Sequence, residues 1–83
     1  MVIMLAKIRA KLGLTQRDIA QKVNVHYNTI YNLEAGVYNP RLPLARAIVD
    51  VVNTAEREVS ITPKVWTVES LFEEVEICRE QVD

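Results

Sequence analysis

The chain has 83 residues, 49% hydrophobic and 25% charged, with two glycines, three prolines and a single cysteine. That length allows one domain with one modest core, and the few glycines and prolines leave little room for a turn-rich all-β fold. No apolar run approaches the roughly 20 residues of a membrane span, Cys78 has no partner for an internal disulfide, and no Cys/His cluster is spaced to hold a metal.

The formal net charge of −1 conceals a segregation. Residues 1–46 carry Lys7, Arg9, Lys11, Arg17, Lys22, Arg41 and Arg46 against Asp18 and Glu34, a net +5. Residues 66–83 carry Arg79 against Glu69, Glu73, Glu74, Glu76, Glu80 and Asp83, a net −5. A basic half and an acidic tail suggest one surface that faces a polyanion and one turned away from it. The tail also fits a plain solvated helix face. The opening MVIMLAKIRA is apolar and then basic, the reverse of a signal peptide's order, so it reads as a first helix and the protein is expected to be cytoplasmic.

The first helix is predicted from about Ile3 to Leu12. Leu5, Ile8 and Leu12 form its buried stripe, and Gly13 is the stop. Thr15 then reads as an N-cap, and Asp18 completes a T-x-x-D capping box. Ile19, Ala20 and Val23 make one apolar stripe on about two turns of a second helix. Asn24 follows, the non-glycine residue most tolerant of the left-handed region, and can turn the chain sharply. A third helix begins near His26 or Tyr27, with Ile30, Leu33 and Glu34 inward and Gly36 as its C-terminal stop. Its outer face is Tyr27, Asn28, Tyr31 and Asn32. Amides and phenols without an acid suit a helix that lies against base edges.

Val37 to Arg41 reads as a loop, since Asn39-Pro40 disfavours helix before it. The fourth helix starts near Leu42 with Pro43 in its first turn. Leu44, Ile48, Val51, Val52, Ala55 and Val59 keep a helical period, which carries the helix to about Glu58. SITPKVW, residues 60–66, reads as an extended connector or a weak hairpin arm. Thr67 is the next N-cap, and a last helix places Val68, Leu71, Phe72, Val75 and Val82 on one face, widened by Ile77 and Cys78. Apolar residues to spare at the end of a small basic domain make Leu71, Phe72, Val75, Ile77, Cys78 and Val82 a candidate dimer surface. The same helix could equally dock on its own domain.

The stretch TQRDIAQKVNVHYNTIYNLEAG, residues 15–36, resembles the helix-turn-helix of the phage-repressor and Cro-like (XRE-type) family of DNA-binding proteins. Leu14, Thr15, Gln16, Ile19, Ala20, Val23, Val25, Thr29, Ile30, Glu34 and Gly36 carry the resemblance. It continues through Tyr38, Asn39, Pro40, Leu42, Leu44, Ala45 and Ile48, which look like the G-x-Y-N-P-x-L-x-L-A-x-x-I run of small bacterial and archaeal members. It covers roughly residues 3 to 53, and again 67 to 72. Two positions depart from the family: Asn24 stands where Gly is usual, and His26 caps the recognition helix where Ser or Thr is usual. The resemblance implies an all-α, repressor-like domain of four to five helices, with a C-terminal helix after an extended connector. It also implies that Arg9 pairs with Glu34 at the end of the recognition helix, and that Gln16 grips phosphate.

Residues 1–53 are accordingly expected to form the DNA-binding domain. Residues 54–83 would form a connector and C-terminal helix, a candidate dimerisation element. Base readout falls to Tyr27, Asn28, Tyr31 and Asn32. Phosphate contact falls to Gln16, Arg17, His26, Asn39 and Arg41, with Gln16 at a helix start where free N–H groups favour an anion. Asn can bond adenine through N6 and N7, and a tyrosine ring can pack on a thymine methyl. With no Arg or Lys on the third helix, the core site should lean to A·T. Tyr27 fits a packing role as well as readout, Tyr38 fits packing across its loop, and Cys78 fits a small hydrophobe. The expected partners are double-stranded DNA and a second copy of the chain, with no membrane, no cofactor and no small-molecule ligand evident. The expected function is a transcriptional regulator, a repressor on a palindromic operator. The alternative is a protein-binding module on the same fold (antitoxin, accessory subunit or adaptor) that acts through its acidic C-terminal helix. An enzyme is not expected: no nucleophile–base pair, paired carboxylates, metal cluster or phosphate loop is present.

Overall fold

The computed structural model describes residues 3–37 and 39–72, and the described residues are helical: α1 Ile3–Lys11, α2 Gln16–Lys22, α3 Tyr27–Ala35, α4 Leu42–Val59 and α5 Val68–Leu71. The fold is the small all-α, repressor-like one, with α2 and α3 forming the helix-turn-helix. Tyr38 and the run from Glu73, with Val75, Ile77, Cys78 and Val82 of the expected dimer surface, lie outside the described residues.

Three of the helices end by one device. Gly13, Asn24 and Gly36 adopt left-handed φ values of 73°, 61° and 82°. At each, the left-handed residue's N–H bonds a carbonyl three residues back and the next N–H bonds one five back: Leu14 to Arg9 at 3.0 Å, Val25 to Ala20 at 2.9 Å and Val37 to Asn32 at 2.9 Å. These are Schellman stops, which satisfy carbonyls that a helix end would orphan. Two of the three apolar residues that follow, Leu14 and Val25, pack against the core. The turn between α2 and α3 is therefore a helix stop whose following residue is pulled inward. A β-branched residue at position 24 would resist the required φ.

Every helix contributes to one core. Leu5 and Ile8 come from α1, Ile19 and Ala20 from α2, Ile30 and Leu33 from α3, and Ala45, Ile48, Val49 and Val52 from α4. Trp66, Leu71 and Phe72 complete it. Two expectations are corrected here. Leu71 and Phe72 are candidates for a surface toward a second copy or for docking on the chain's own domain, and at 0% and 2% exposed they take the second course and are not available to a second copy. So small a domain needs its largest apolar side chains inside, and these two close the end of the core. The inward face of α4 is also turned from the expected one. Val59 is 65% exposed, and Glu56, one turn earlier, is buried.

Glu56 is explained by the connector. Residues 60–66 form neither helix nor strand, so their backbone groups need partners from elsewhere. The Glu56 carboxylate accepts the Lys64 N–H at 3.5 Å. Asn53 does more. Its side-chain carbonyl accepts the Trp66 N–H at 2.7 Å, and its side-chain amide donates to the Trp66 carbonyl at 2.9 Å. One amide thus answers both backbone groups of a buried tryptophan, while the Lys64 ammonium sits 4.1 Å over the indole. Thr67 then caps α5 through a reciprocal box with Ser70, at 3.1 Å and 2.9 Å.

Asn53→Ala would leave the Trp66 N–H and carbonyl buried and unpaired. Each such group costs about 1–3 kcal/mol, so the variant should lose at least about 2 kcal/mol of stability by urea denaturation. Asn53→Asp, which keeps the acceptor and loses the donor, should lie between it and the parent. Equal stability of all three proteins would show that the clasp contributes nothing.

Candidate nucleic-acid interface

The interface is built from the middle of the helix-turn-helix outward. Glu34 closes the inward face of α3 and is 7% exposed. A carboxylate so placed is tolerable only if its oxygens are well bonded. Arg9 Nε donates to Oε2 at 2.8 Å, and Arg9 Nη2 donates to Oε1 at 3.1 Å, a bidentate fork. A third donor is the Gln16 side-chain amide, 2.9 Å from Oε1. Arg9 also donates through Nη1 to the Leu14 carbonyl at 3.1 Å. One carboxylate therefore joins α1, α2 and α3 and sets how α3 sits. Neither the Gln16–Glu34 bond nor the Arg9–Leu14 bond was foreseen from the sequence. Gln16 remains half-buried at the start of α2, with part of its amide turned toward its neighbour instead of outward.

The two helix starts have different caps. At α2 the Thr15 hydroxyl accepts the Asp18 N–H at 3.0 Å, and the Asp18 carboxylate accepts the Thr15 N–H at 2.9 Å. The Thr15 backbone N–H, and then its hydroxyl, hold the Asp18 carboxyl below its ordinary pKa of 3.8. At α3 the cap is an imidazole: His26 Nδ1 accepts the Asn28 N–H at 3.1 Å. That bond uses Nδ1 as the acceptor, and the His26 ring is otherwise exposed.

Beyond these caps lies a continuous polar face. Tyr27 is 36% and Tyr31 54% exposed; Asn28 is exposed and Asn32 half-buried. Arg17 and His26 are exposed beside Tyr27. The Arg17 guanidinium lies 4.5 Å over the Tyr27 ring, and the His26 ring packs at 5.1 Å with a tilt of 32°. An open groove of about 450 Å³, lined by Arg17, Ala20, Gln21, Val25, His26 and Tyr27, runs between α2 and the start of α3. Asn39 and Arg41 are exposed in the loop that follows α3. The residues read from the sequence as base- and phosphate-facing thus fall on α3 and its cap His26, on the start of α2, where Arg17 is exposed and Gln16 half-buried, and on the next loop. Among the described residues no group of three His, Cys, Asp or Glu side chains could hold a metal ion, and no helix is long and apolar enough to cross a membrane.

Comparison with known proteins agrees with this geometry. A family model described as helix-turn-helix matches residues 5–59. An uncharacterized HTH-type transcriptional regulator of Archaeoglobus fulgidus is 46% identical over 55 residues, 66% of this chain and 79% of the relative. A second from the same organism is 42% identical over 55 residues, covering 66% and 78%. One from Methanothermobacter thermautotrophicus is 50% identical over 40 residues, covering 48% and 58%. No solved structure matches.

Two stability measurements follow from the site. Glu34→Ala leaves a largely buried Arg9 without its carboxylate and should cost about 3–5 kcal/mol in chemical denaturation, while an apolar pair at both positions should recover most of that loss. Asp18 has a depressed folded-state pKa, so its contribution is full above the unfolded value of 3.8 and is lost as pH falls through the folded value. The thermal midpoint of Asp18→Asn should therefore lie below the parent's at neutral pH, and the gap should close as pH is taken below 3.8. A gap that stays constant into acid would remove the carboxylate from the cap.

Proposed function

The chain belongs to the helix-turn-helix family, and from that premise we propose that it is a sequence-specific, double-stranded-DNA-binding regulator of transcription, a repressor that occupies a palindromic operator as a homodimer. The observation that carries this reading is the outer face of α3. It is a neutral surface of two amides and two phenols, held at a fixed angle by the bonds to Glu34 and bordered by Arg17, His26, Asn39 and Arg41. Neutral hydrogen-bonding groups discriminate base edges, and flanking cations and helix N–H groups hold phosphates. Tyr27, Asn28, Tyr31 and Asn32 are the proposed base contacts. Gln16, Arg17, His26, Asn39 and Arg41 are the proposed phosphate-side contacts, Gln16 acting with the part of its amide that Glu34 leaves over.

Residues 1–53 would bind DNA, and residues 54–83, which include the end of α4, the connector and the C-terminal helix, would supply the contact with a second copy. With Leu71 and Phe72 occupied in the chain's own core, Val75, Ile77, Cys78 and Val82 are the part of the expected surface that stays in the proposal. A two-fold pair would set its recognition helices about 34 Å apart, one turn of DNA. The relatives' names, HTH-type transcriptional regulator, support a regulatory role.

Selection of binding sites from random duplex DNA, with affinity for the winner followed over salt, tests the proposal. A palindromic winner whose affinity falls steeply as salt rises is expected. Asn28→Ala should then weaken binding by about 1–3 kcal/mol and relax preference at one base pair, whereas Gln16→Ala should weaken binding to all sequences alike. Absence of any enriched sequence, together with stoichiometric capture of a protein through residues 67–83, would favour the protein-binding alternative.

A further inference from the structure

α3 carries amides and phenols and no cation, so by itself it lacks the group that most often reads guanine. Arg9 cannot supply it, because its guanidinium is engaged with Glu34 and the Leu14 carbonyl. Arg17 is placed differently. It springs from the exposed side of α2, yet its guanidinium lies 4.5 Å over the ring of Tyr27, the first residue of α3. Among the described residues no acceptor takes a hydrogen bond from it. A long, exposed arginine is ordinarily free to sample many rotamers. This one rests against a ring that is itself packed by His26 at 5.1 Å and anchored at a capped helix start. A guanidinium held on an aromatic face keeps its fork of N–H donors for a second partner. An open groove of about 450 Å³ lies beside it.

We propose that Arg17 reads a base. Held on Tyr27, it donates to O6 and N7 of a guanine in the major groove, at the edge of the A·T-leaning half-site. Tyr27 acts there as a positioning residue for Arg17, besides any contact of its own. The proposal rests on the DNA-binding reading above and replaces the assignment of Arg17 to phosphate. α2 thus lends α3 the cation that α3 does not carry.

The test uses the full chain and the site selected by the parent protein. The selected site should hold a guanine at one fixed position outside the A·T core. Arg17→Ala should reduce discrimination against the other bases at that position by about fivefold to a hundredfold, the value of a bidentate pair. It should weaken binding far less on a site already lacking that guanine. Arg17→Lys, which keeps the charge but not the planar fork, should restore general affinity and leave the guanine preference reduced. Tyr27→Ala should lower discrimination at the same base pair by about twofold to fivefold, as the ring beneath the guanidinium is lost, and Tyr27→Phe should preserve it. Circular dichroism of each variant checks that these exposed substitutions leave the fold intact. If Arg17→Ala weakens all sequences equally and Arg17→Lys repairs them equally, Arg17 is a phosphate contact and the proposal is overturned while DNA binding stands. A parent protein that enriches no sequence overturns the DNA-binding reading itself.

Discussion

Glu34 is the point on which the rest of the structure turns. An acid at the buried end of a short helix is costly unless several donors meet it, and here three do, from Arg9 twice and Gln16 once. Those donors come from the two helices that precede α3, so satisfying the charge fixes three helices relative to one another. Apolar contact alone tolerates small slides between helices, whereas a bidentate fork does not. Ile30 and Leu33 hold α3 on the core; the carboxylate decides the angle at which it is held.

That angle matters because the outer face of α3 has few ways to compensate for error. Amides and phenols recognise by short, directional bonds, and a misplaced helix loses them all together. Under the proposed reading Arg41, exposed in the loop after α3, meets the charged backbone, where attraction is less demanding of geometry. In that reading two kinds of recognition are given to two kinds of scaffold. The stack of Arg17 on Tyr27 joins the two helices of the motif, with the guanidinium of α2 lying 4.5 Å over the first ring of α3.

The parts legible in the sequence are those whose cause is local. Gly13, Asn24 and Gly36 announce helix stops because few other residues accept a left-handed φ, and Thr15 with Asp18 announces a start through an exchange only three residues long. The pairing of Arg9 with Glu34 spans 25 residues and came into view through family resemblance alone. What was not legible depends on where distant elements come to rest. The charged Glu56 reads as solvent-facing until the connector crosses it and offers the Lys64 N–H. Leu71 and Phe72 look like a surface to spare until the core beneath them is seen to be open at that end. Asn53 left a faint signal: an asparagine deep in a long helix runs against propensity, which invites the question of what its amide holds.

The Asn53–Trp66 clasp has a further consequence. A side-chain amide there takes the part of a neighbouring strand, so the segment after α4 is tied to that helix by paired bonds as well as by packing. Trp66, Leu71 and Phe72 share one core with Leu5, Ile19 and Ile30. The described helices therefore have no seam along which one group could melt while the other stayed ordered. A core shared in this way should open as one unit, with slow amide exchange extending from the recognition helix to Trp66 at a common opening energy. Any division of labour among the described helices is one of surfaces, laid over a shared core.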